Sequence, residues 1–323
     1  MHVEMDIARR SELIRKKALS LGFSACGFAN VEKLVEQEQG LRDYLENNYY
    51  GEMTYMANHF DKRLDPSLLV PGAKSAIVVL LNYFPKKVLS NETGLMLSKY
   101  AYGEDYHEVV KGKLAKLFDF IGAEIAPVQG RYFCDSAPVL ERAWAVKAGL
   151  GWIGKNGLLI NPKFGSFVFI GELFVDIELE YDHSHEKKYC GSCTRCLNSC
   201  PSSAFVAPYR LDARKCISYL TIELKGGVPE KLKPALKNRI FGCDICQDVC
   251  PWNQKLSPHD VHEFAPKQEL LEFTSSDWEN ITHEGFTALF SKSALKRTGY
   301  SKLKQNIVNV MSVGNLSDTI KLS

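Results

Sequence analysis

"YCGSCTRCLNSCP" (residues 189–201) and "GCDICQDVCP" (residues 242–251) decide how this chain is read. The first stretch carries Cys190, Cys193, Cys196 and Cys200; the second carries Cys243, Cys246 and Cys250. The first run has the spacing C-x2-C-x2-C-x3-C-P, the pattern of bacterial two-cluster ferredoxins. Three thiolates on a tight loop can cap three irons of one cubane. The fourth, one helical turn on and followed by proline, points to a neighbouring cluster. The second run is the same motif short of one ligand, and Cys216 in "DARKCISYL" can supply it. The spacing predicts two 4Fe–4S clusters. Cluster 1 takes Cys190, Cys193, Cys196 and, in exchange, Cys250. Cluster 2 takes Cys216, Cys243, Cys246 and, in exchange, Cys200. Zinc is the rival, but a zinc ribbon uses two C-x2-C pairs, four thiolates in all. The remaining two of the ten cysteines, Cys26 and Cys134, stand alone and read as small buried hydrophobes.

The rest of the composition is ordinary. A chain of 323 residues suggests about two domains. With 45% hydrophobic and 24% charged residues it belongs to the globular class. A net charge of +2 gives no global electrostatic case for nucleic acid, so any such partner needs a local patch. The N-terminus lacks the apolar core of a signal peptide. Ile7, Ile14, Ala18 and Leu21 suggest an amphipathic helix there instead. The most apolar run, "AIVVLL" (residues 76–81), is too short to span a bilayer. No membrane partner is expected, and the cytoplasm is the predicted compartment. Thiols stay reduced there, so clustered cysteines point to metal rather than disulfides.

Upstream of the cysteines, helical and extended patterns alternate. "SACGFA", "SAIVVLLNYF" and "EIAPVQGRYFCD" read as strands, and "LLINPKFGSFVFIGELFVDIEL" as two strands joined by a turn. "DYHEVVKGKLAKLFDFIG" puts Val109, Val110, Leu114, Leu117, Phe118 and Ile121 on one helical face. "APVLERAWAVKAG" reads as a helix with Pro138 in its first turn. The expected organisation is an α/β domain over residues 1–180, a ferredoxin-like two-cluster domain over 181–255, and a helical C-terminal region over 256–323. The polar stretch "YDHSHEKK" (residues 181–188) is the expected linker. "GLGWIG" (residues 149–154) matches G-x-G-x-x-G, but it follows a helix and precedes a strand. A dinucleotide fingerprint needs the opposite order, so that reading is set aside.

Two low-potential clusters beside a larger α/β domain imply an electron acceptor in that domain. Several further stretches narrow the choice: "GEMTYM", "RLDPSLLVPGAKSAI", "YGEDYH", "DSAPVLERAWAVKAGLGWIGKNGLLI" and "RTGYSKLKQNIVNVMSVGN". Together with the eight cysteines, and in this order over nearly the whole chain, they resemble epoxyqueuosine reductases. That resemblance implies reduction of the epoxide of epoxyqueuosine, at the anticodon wobble position of tRNA, to queuosine. It implies cobalamin beside the two clusters, bound between the α/β and cluster domains, and a fold like that of cobalamin-dependent reductive dehalogenases. Typical family members carry a longer helical-repeat C-terminus that holds tRNA, and the resemblance implies that residues 256–323 correspond to its first helices, with tRNA held there in part or mainly elsewhere.

The resemblance also assigns roles. Asp135, at the strand-to-helix junction of "FCDSAP", becomes the proton donor, with a carboxyl kept protonated by desolvation against corrin and substrate. Asp105 and Tyr106 become cobalamin or substrate contacts, and Lys155 and Asn156 contacts to corrin amides. Arg63 and Met53 are weaker members of the same set. His107 reads as structural rather than as a cobalt ligand. The densest basic run, residues 291–304, offers Lys296, Arg297, Lys302 and Lys304 to tRNA phosphates, against the alternative of a solvated helix face. A monomer fed by an external low-potential electron donor is expected. Two other functions fit parts of the pattern: a small-molecule reductase related to the dehalogenases, and an electron-transfer iron–sulfur protein. The absence of a twin-arginine signal counts against the first, and the large upstream domain against the second.

Overall fold

The computed structural model of the chain describes residues 5–89, 94–184 and 189–320, with side chains to residue 313. Residues 185–188 of the expected linker lie outside the described residues. Four strands form the main sheet: β1 (Ala25–Asn30), β2 (Ser75–Asn82), β3 (Gly130–Phe133) and β4 (Val168–Val175). Their order is β1-β2-β4-β3. Helices and strands alternate along the chain as the patterns predict. Every pairing in this sheet is nevertheless antiparallel, with Ile77 opposite both Phe28 and Leu173.

The continuous apolar run of β2 follows from its place in the middle. All eight of its residues are buried, because both faces of the sheet are covered. Ile77, Val79 and Leu81 meet α1 (Ile7–Ser20), through Ile14 and Ala18, and α2 (Tyr106–Phe120), through Leu114 and Leu117. Ala76, Val78 and Leu80 face the other way, onto Trp144 and Ala145 of α3 (Glu141–Lys147). Pro138 does not enter that helix; it lies three residues before its first residue. The packing between α3 and β1 is so close that a Cβ on Gly27 would strike the Ala148 carbonyl oxygen. Gly27 thus serves close approach rather than a turn.

A third core joins the remaining segments. Met96–Leu97 leaves the sheet layer and pairs in parallel with Arg239–Phe241. Around that pair gather Leu220, Ile240, Trp278, Phe290, Leu303 and Ile307, from both the cysteine region and the C-terminal helices. Asn306, fully buried, donates to the carbonyls of Thr221 and Ile240 at 2.8 and 2.9 Å. The helix over Leu295–Ile320 is interrupted at Gly299, whose φ of 80° and ψ of 163° are not helical. The break isolates a short turn carrying Lys296 and Arg297 and re-aims it.

One residue breaks the apolar pattern of β4. Glu172 pairs with Val78 and Phe133, points under α3, and is 0% exposed. Neither carboxyl oxygen has a hydrogen-bond partner. Burial, then the nearby Glu141 and Asp135 charges, push this carboxyl well above its ordinary value. The folded chain therefore holds the Glu172 proton more tightly than the unfolded chain. Its contribution to stability is full below the ordinary value of 4.5 and is lost as pH rises above it. Glu172→Leu removes the buried unpaired group and should stabilise the fold by about 1–3 kcal/mol near neutral pH. The gain in thermal midpoint should be larger at pH 8 than at pH 5; equal gains would mean that Glu172 has a partner.

Candidate active site

The N-terminus of α2 builds the first half of the site. Asp105 caps the helix, its carboxylate accepting from the His107 amide at 3.0 Å. The same oxygen lies 2.6 Å from His107 Nδ1. The ring is thereby turned so that Nε2 reaches Asp135 Oδ2 at 3.3 Å. Tyr106, next in sequence, donates its hydroxyl to the same Asp135 oxygen. Its ring is fixed by stacking on Phe169, with centroids 4.2 Å apart and planes 2° from parallel. Asp135 itself follows β3 on a loop and holds φ at 58°, the left-handed region that few non-glycine residues adopt. Its amide donates to Glu141.

Half of the Asp135 side chain is exposed, but to the cleft, with protein around the rest. Withdrawal from bulk water would raise this carboxyl. The hydrogen bonds from His107 and Tyr106 outweigh that and hold it below its ordinary value. In the protein alone the balance of these effects favours the charged form of Asp135. Burial would likewise lower His107, but hydrogen bonds to Asp105 and Asp135 outweigh it and raise the ring to about 9. The proton sits on His107. Burial, then the Asp135 charge, push the Tyr106 phenol far up, so it stays neutral and donates. Glu141, deep in the cleft wall, is pushed up to about 8 by desolvation and then by the Asp135 charge.

These groups line a cleft of about 1740 Å³, larger than the ~300–1,000 Å³ usual for small-molecule pockets. Of the residues singled out in the sequence, Asp135, Tyr106, Asn156 and Arg63 line it, and Asp105 acts through His107. Arg63 donates to the carbonyls of Tyr55 and Asn58 at 2.7 and 3.2 Å, so it shapes the wall. Lys155 is not a wall residue. Its ammonium donates to the carbonyls of Gly191 and Cys193 at 2.6 and 3.0 Å and braces the first cysteine loop. Met53 packs against the third core instead. The basic run divides. Arg297 pairs with Glu223 and reaches the cleft. Lys304 donates to the Glu279 carbonyl at 2.6 Å, Lys302 lies 3.4 Å from the Gly226 carbonyl, and Lys296 is exposed. Sequence reasoning missed Glu141, Glu223 and the role of His107; only the adjacency of Asp105, Tyr106 and His107 signalled any of it.

The thiols fall into two neighbourhoods. Burial pushes Cys196 up, and Cys250, Cys190 and Cys193 face it closely enough to add to that. Burial also raises Cys250, which faces Cys190 and Cys193. On the other side Cys216 faces Cys200, and Cys243 and Cys246 face Cys216. The two short helical turns Arg195–Asn198 and Ile245–Asp248 pack against each other and hold the groups adjacent. Among the described residues no three metal-binding side chains converge as a single ion requires. Two neighbourhoods of four thiols match in number what two 4Fe–4S clusters require.

Thiols so divided, beside a cleft lined by Asp135, Tyr106 and His107, fit the class of iron–sulfur reductases. Residues 189–253 match the family model for a 4Fe–4S double cluster binding domain, and residues 63–136 that for epoxyqueuosine reductase QueG. The epoxyqueuosine reductase of Cellulophaga algicola is 52% identical over 93% of this chain and 97% of its own length. That of Escherichia coli is 40% identical over 99% of this chain and 85% of its own. A crystal structure of an epoxyqueuosine reductase with an epoxyqueuosine-modified tRNA-Tyr stem loop superposes with a TM-score of 0.87. It is 29% identical and covers 95% of this chain and 82% of the other. A Bacillus subtilis reductase, TM-score 0.86 and 29% identical, covers 95% of this chain and 82% of its own; it was solved with its catalytic aspartate loop swung out of the active site. The chain belongs to the epoxyqueuosine reductase family.

The division of thiols carries a test. Anaerobic protein should hold about eight irons, and Cys200→Ala should reduce this toward about four. The surviving paramagnetic signal after reduction should be the one that Cys196→Ala removes. Loss of the same signal in both variants would refute the division.

Proposed function

We propose that this chain reduces the epoxide of epoxyqueuosine in tRNA to the alkene of queuosine, with two 4Fe–4S clusters and cobalamin as its cofactors. The observation that carries this reading is the Asp135 carboxylate, gripped by Tyr106 and His107 in the wall of a cleft far larger than a small metabolite needs. The similarity to a reductase solved with a modified stem loop supports the substrate. The swung-out aspartate loop of the Bacillus subtilis relative supports a catalytic role for Asp135. Each set of four thiols holds one cluster, Cys190, Cys193, Cys196 and Cys250 the first, and Cys200, Cys216, Cys243 and Cys246 the second. The work is done in the cytoplasm, by a monomer fed from an external low-potential donor.

The overall change breaks two C–O bonds, forms one C=C bond, consumes two electrons and two protons, and releases water. When bound, cobalamin supplies the reducing centre at carbon and the clusters supply the electrons. The protein must deliver protons to the departing oxygen and keep bulk water out. Asp135 is the group that faces the substrate, and His107 is its proton store. The Asp135 carboxylate takes the proton of His107 Nε2 at its Oδ2 and hands it to the departing oxygen; the second proton of the released water comes from solvent. Asp105 steadies the ring throughout. The Tyr106 hydroxyl fixes the carboxylate's direction. Asn156 and Arg63 shape the wall against the cofactor. Arg297 at the cleft and the exposed Lys296 meet the RNA backbone, while Lys302 and Lys304 mainly tie the last helix to the body.

Asp135→Asn keeps the shape and loses the transferable proton. General acid catalysis contributes about 10²–10⁴-fold, and epoxide reduction should fall by that factor with both clusters intact. Near-normal conversion of an epoxyqueuosine-containing anticodon stem loop would assign the proton to another group. The store has its own signature. His107 is charged below about 9, so single-turnover rates should hold through neutral pH and decline as pH rises through that value. His107→Gln should be slow at all pH values and lack the alkaline limb; a limb that persists in this variant would give it another origin.

A further inference from the structure

Asp135 can serve only if its loop stays in the cleft. The two contacts to its side chain, from Tyr106 and His107, are the contacts that change when a proton moves. Something else must hold the residue while they do. The loop over residues 134–140 has no regular secondary structure. Its internal bonds, Ser136 N–H to the Cys134 carbonyl at 2.6 Å and Val139 N–H to the Ala137 carbonyl at 2.8 Å, shape it, and the buried Cys134 and Val139 seat its two ends, but neither holds the Asp135 main chain itself. Lys111 donates to Ser136 Oγ at 2.7 Å, but through a long, exposed side chain. Asp135 also carries a left-handed φ of 58°, which costs a non-glycine residue on the order of 1 kcal/mol unless surroundings impose it.

The remaining tie comes from a rigid element. Glu141 opens α3, and its Oε1 accepts the hydrogen bond from the Asp135 amide. That helix cannot give way. Trp144 is fully buried and packs edge-on against Phe174 with centroids 5.3 Å apart. The Ala148 carbonyl at its end presses on Gly27, and Arg142 donates to the Gly157 carbonyl. We propose that Glu141 is a positioning residue, a latch that holds the Asp135 main chain in its left-handed conformation so that the carboxylate stays in the cleft through the proton transfer. The latch needs an acceptor oxygen at the reach of a glutamyl side chain. It does not need a charge, since the carbonyl oxygen of a neutral carboxyl still accepts a hydrogen bond.

The proposal rests on Asp135 being the proton-delivering group, and its test separates the two ideas. Three variants are compared, Glu141→Gln, Glu141→Asp and Glu141→Ala, with Asp135→Asn alongside. Glutamine keeps the acceptor and its reach. Aspartate keeps the carboxyl group but draws the acceptor back by about 1.5 Å. Two measurements are made. The first is kcat and KM of the loaded enzyme on an epoxyqueuosine-containing anticodon stem loop. The second is the His107 ring titration by NMR in the protein alone, assigned with His107→Gln. The latch predicts that Glu141→Gln resembles the parent in both. Glu141→Asp and Glu141→Ala should lose about 10–100-fold in kcat at nearly constant KM, the scale of a misplacement of about 1 Å. In those two variants the His107 value should fall from about 9, because Asp135 has left the ring. Full rate and an unmoved His107 in Glu141→Asp would overturn the latch, as would a glutamine variant as slow as alanine. Full rate in Asp135→Asn would instead sink the role of Asp135, while the His107 titration still decides the latch.

Discussion

The contact between His107 and Asp135 sets what the cleft can do. A carboxylate drawn away from bulk water tends to take up a proton; a histidine so placed tends to lose one. Side by side, each reverses the other's tendency, and Asp105 on the far ring nitrogen tilts the balance further. The result is a charged pair at a cleft wall, with the proton on nitrogen and the acceptor facing the chamber. Everything around it serves that geometry. Asp105 caps α2 and so fixes the ring, the stack on Phe169 fixes Tyr106, and the sheet fixes Phe169.

The legible parts of this chain are those whose physics is local. Ligand spacing within a few residues is set by the cubane itself, so the double-cluster domain was legible in the cysteines before any fold was known. The strands were legible for a similar reason, since a strand covered on both faces must be apolar at every position, as β2 is. Their antiparallel pairing was not, because register is decided between segments far apart in the chain, Ser75 opposite Val175 for instance. Asp135 could be singled out only by resemblance; nothing near it in sequence distinguishes a proton donor from a helix cap. Lys155 shows the converse. Its motif placed it beside the cofactor, but a flexible side chain went to the nearest unpaired carbonyls, those of Gly191 and Cys193. Glu172 was visible as a charge in an apolar run, yet only the sheet register shows what it lies under.

The basic run shows how one break in a helix redistributes function. A continuous helix from Leu295 would present its cations in rotation, as a solvated face does. Gly299 ends that rotation after one turn, because its backbone has left the helical region. Arg297 is thereby carried to the cleft, where Glu223 holds it, while Lys302 and Lys304 sit on the next segment and bond to carbonyls of the protein. Counting lysines and arginines in a window treats such charges as equivalent. Their partners show that Arg297 and Lys304 cannot do the same work.

Asp105, Asp135, Glu141 and Glu172 form a chain of interacting carboxyls that begins at His107, and they cannot all be charged. Asp105 and Asp135 hydrogen-bond to His107 and are held below their ordinary values. Glu141 accepts one main-chain hydrogen bond and is raised; Glu172 has no partner and is raised most clearly. Ionisation thus follows partners, and the protons collect where partners are few. This order has a consequence for replacement. Neutralising Asp135 removes the charge that raises Glu141, so Asp135→Asn should let Glu141 ionise more readily, and the charge lost at one position is partly regained six residues away. The site resists a change in net charge more than a change in which residue carries it. A fold that must hold a carboxylate beside an incoming electron pair gains from that arrangement, because the pair's charge is met by protons already bound within the wall.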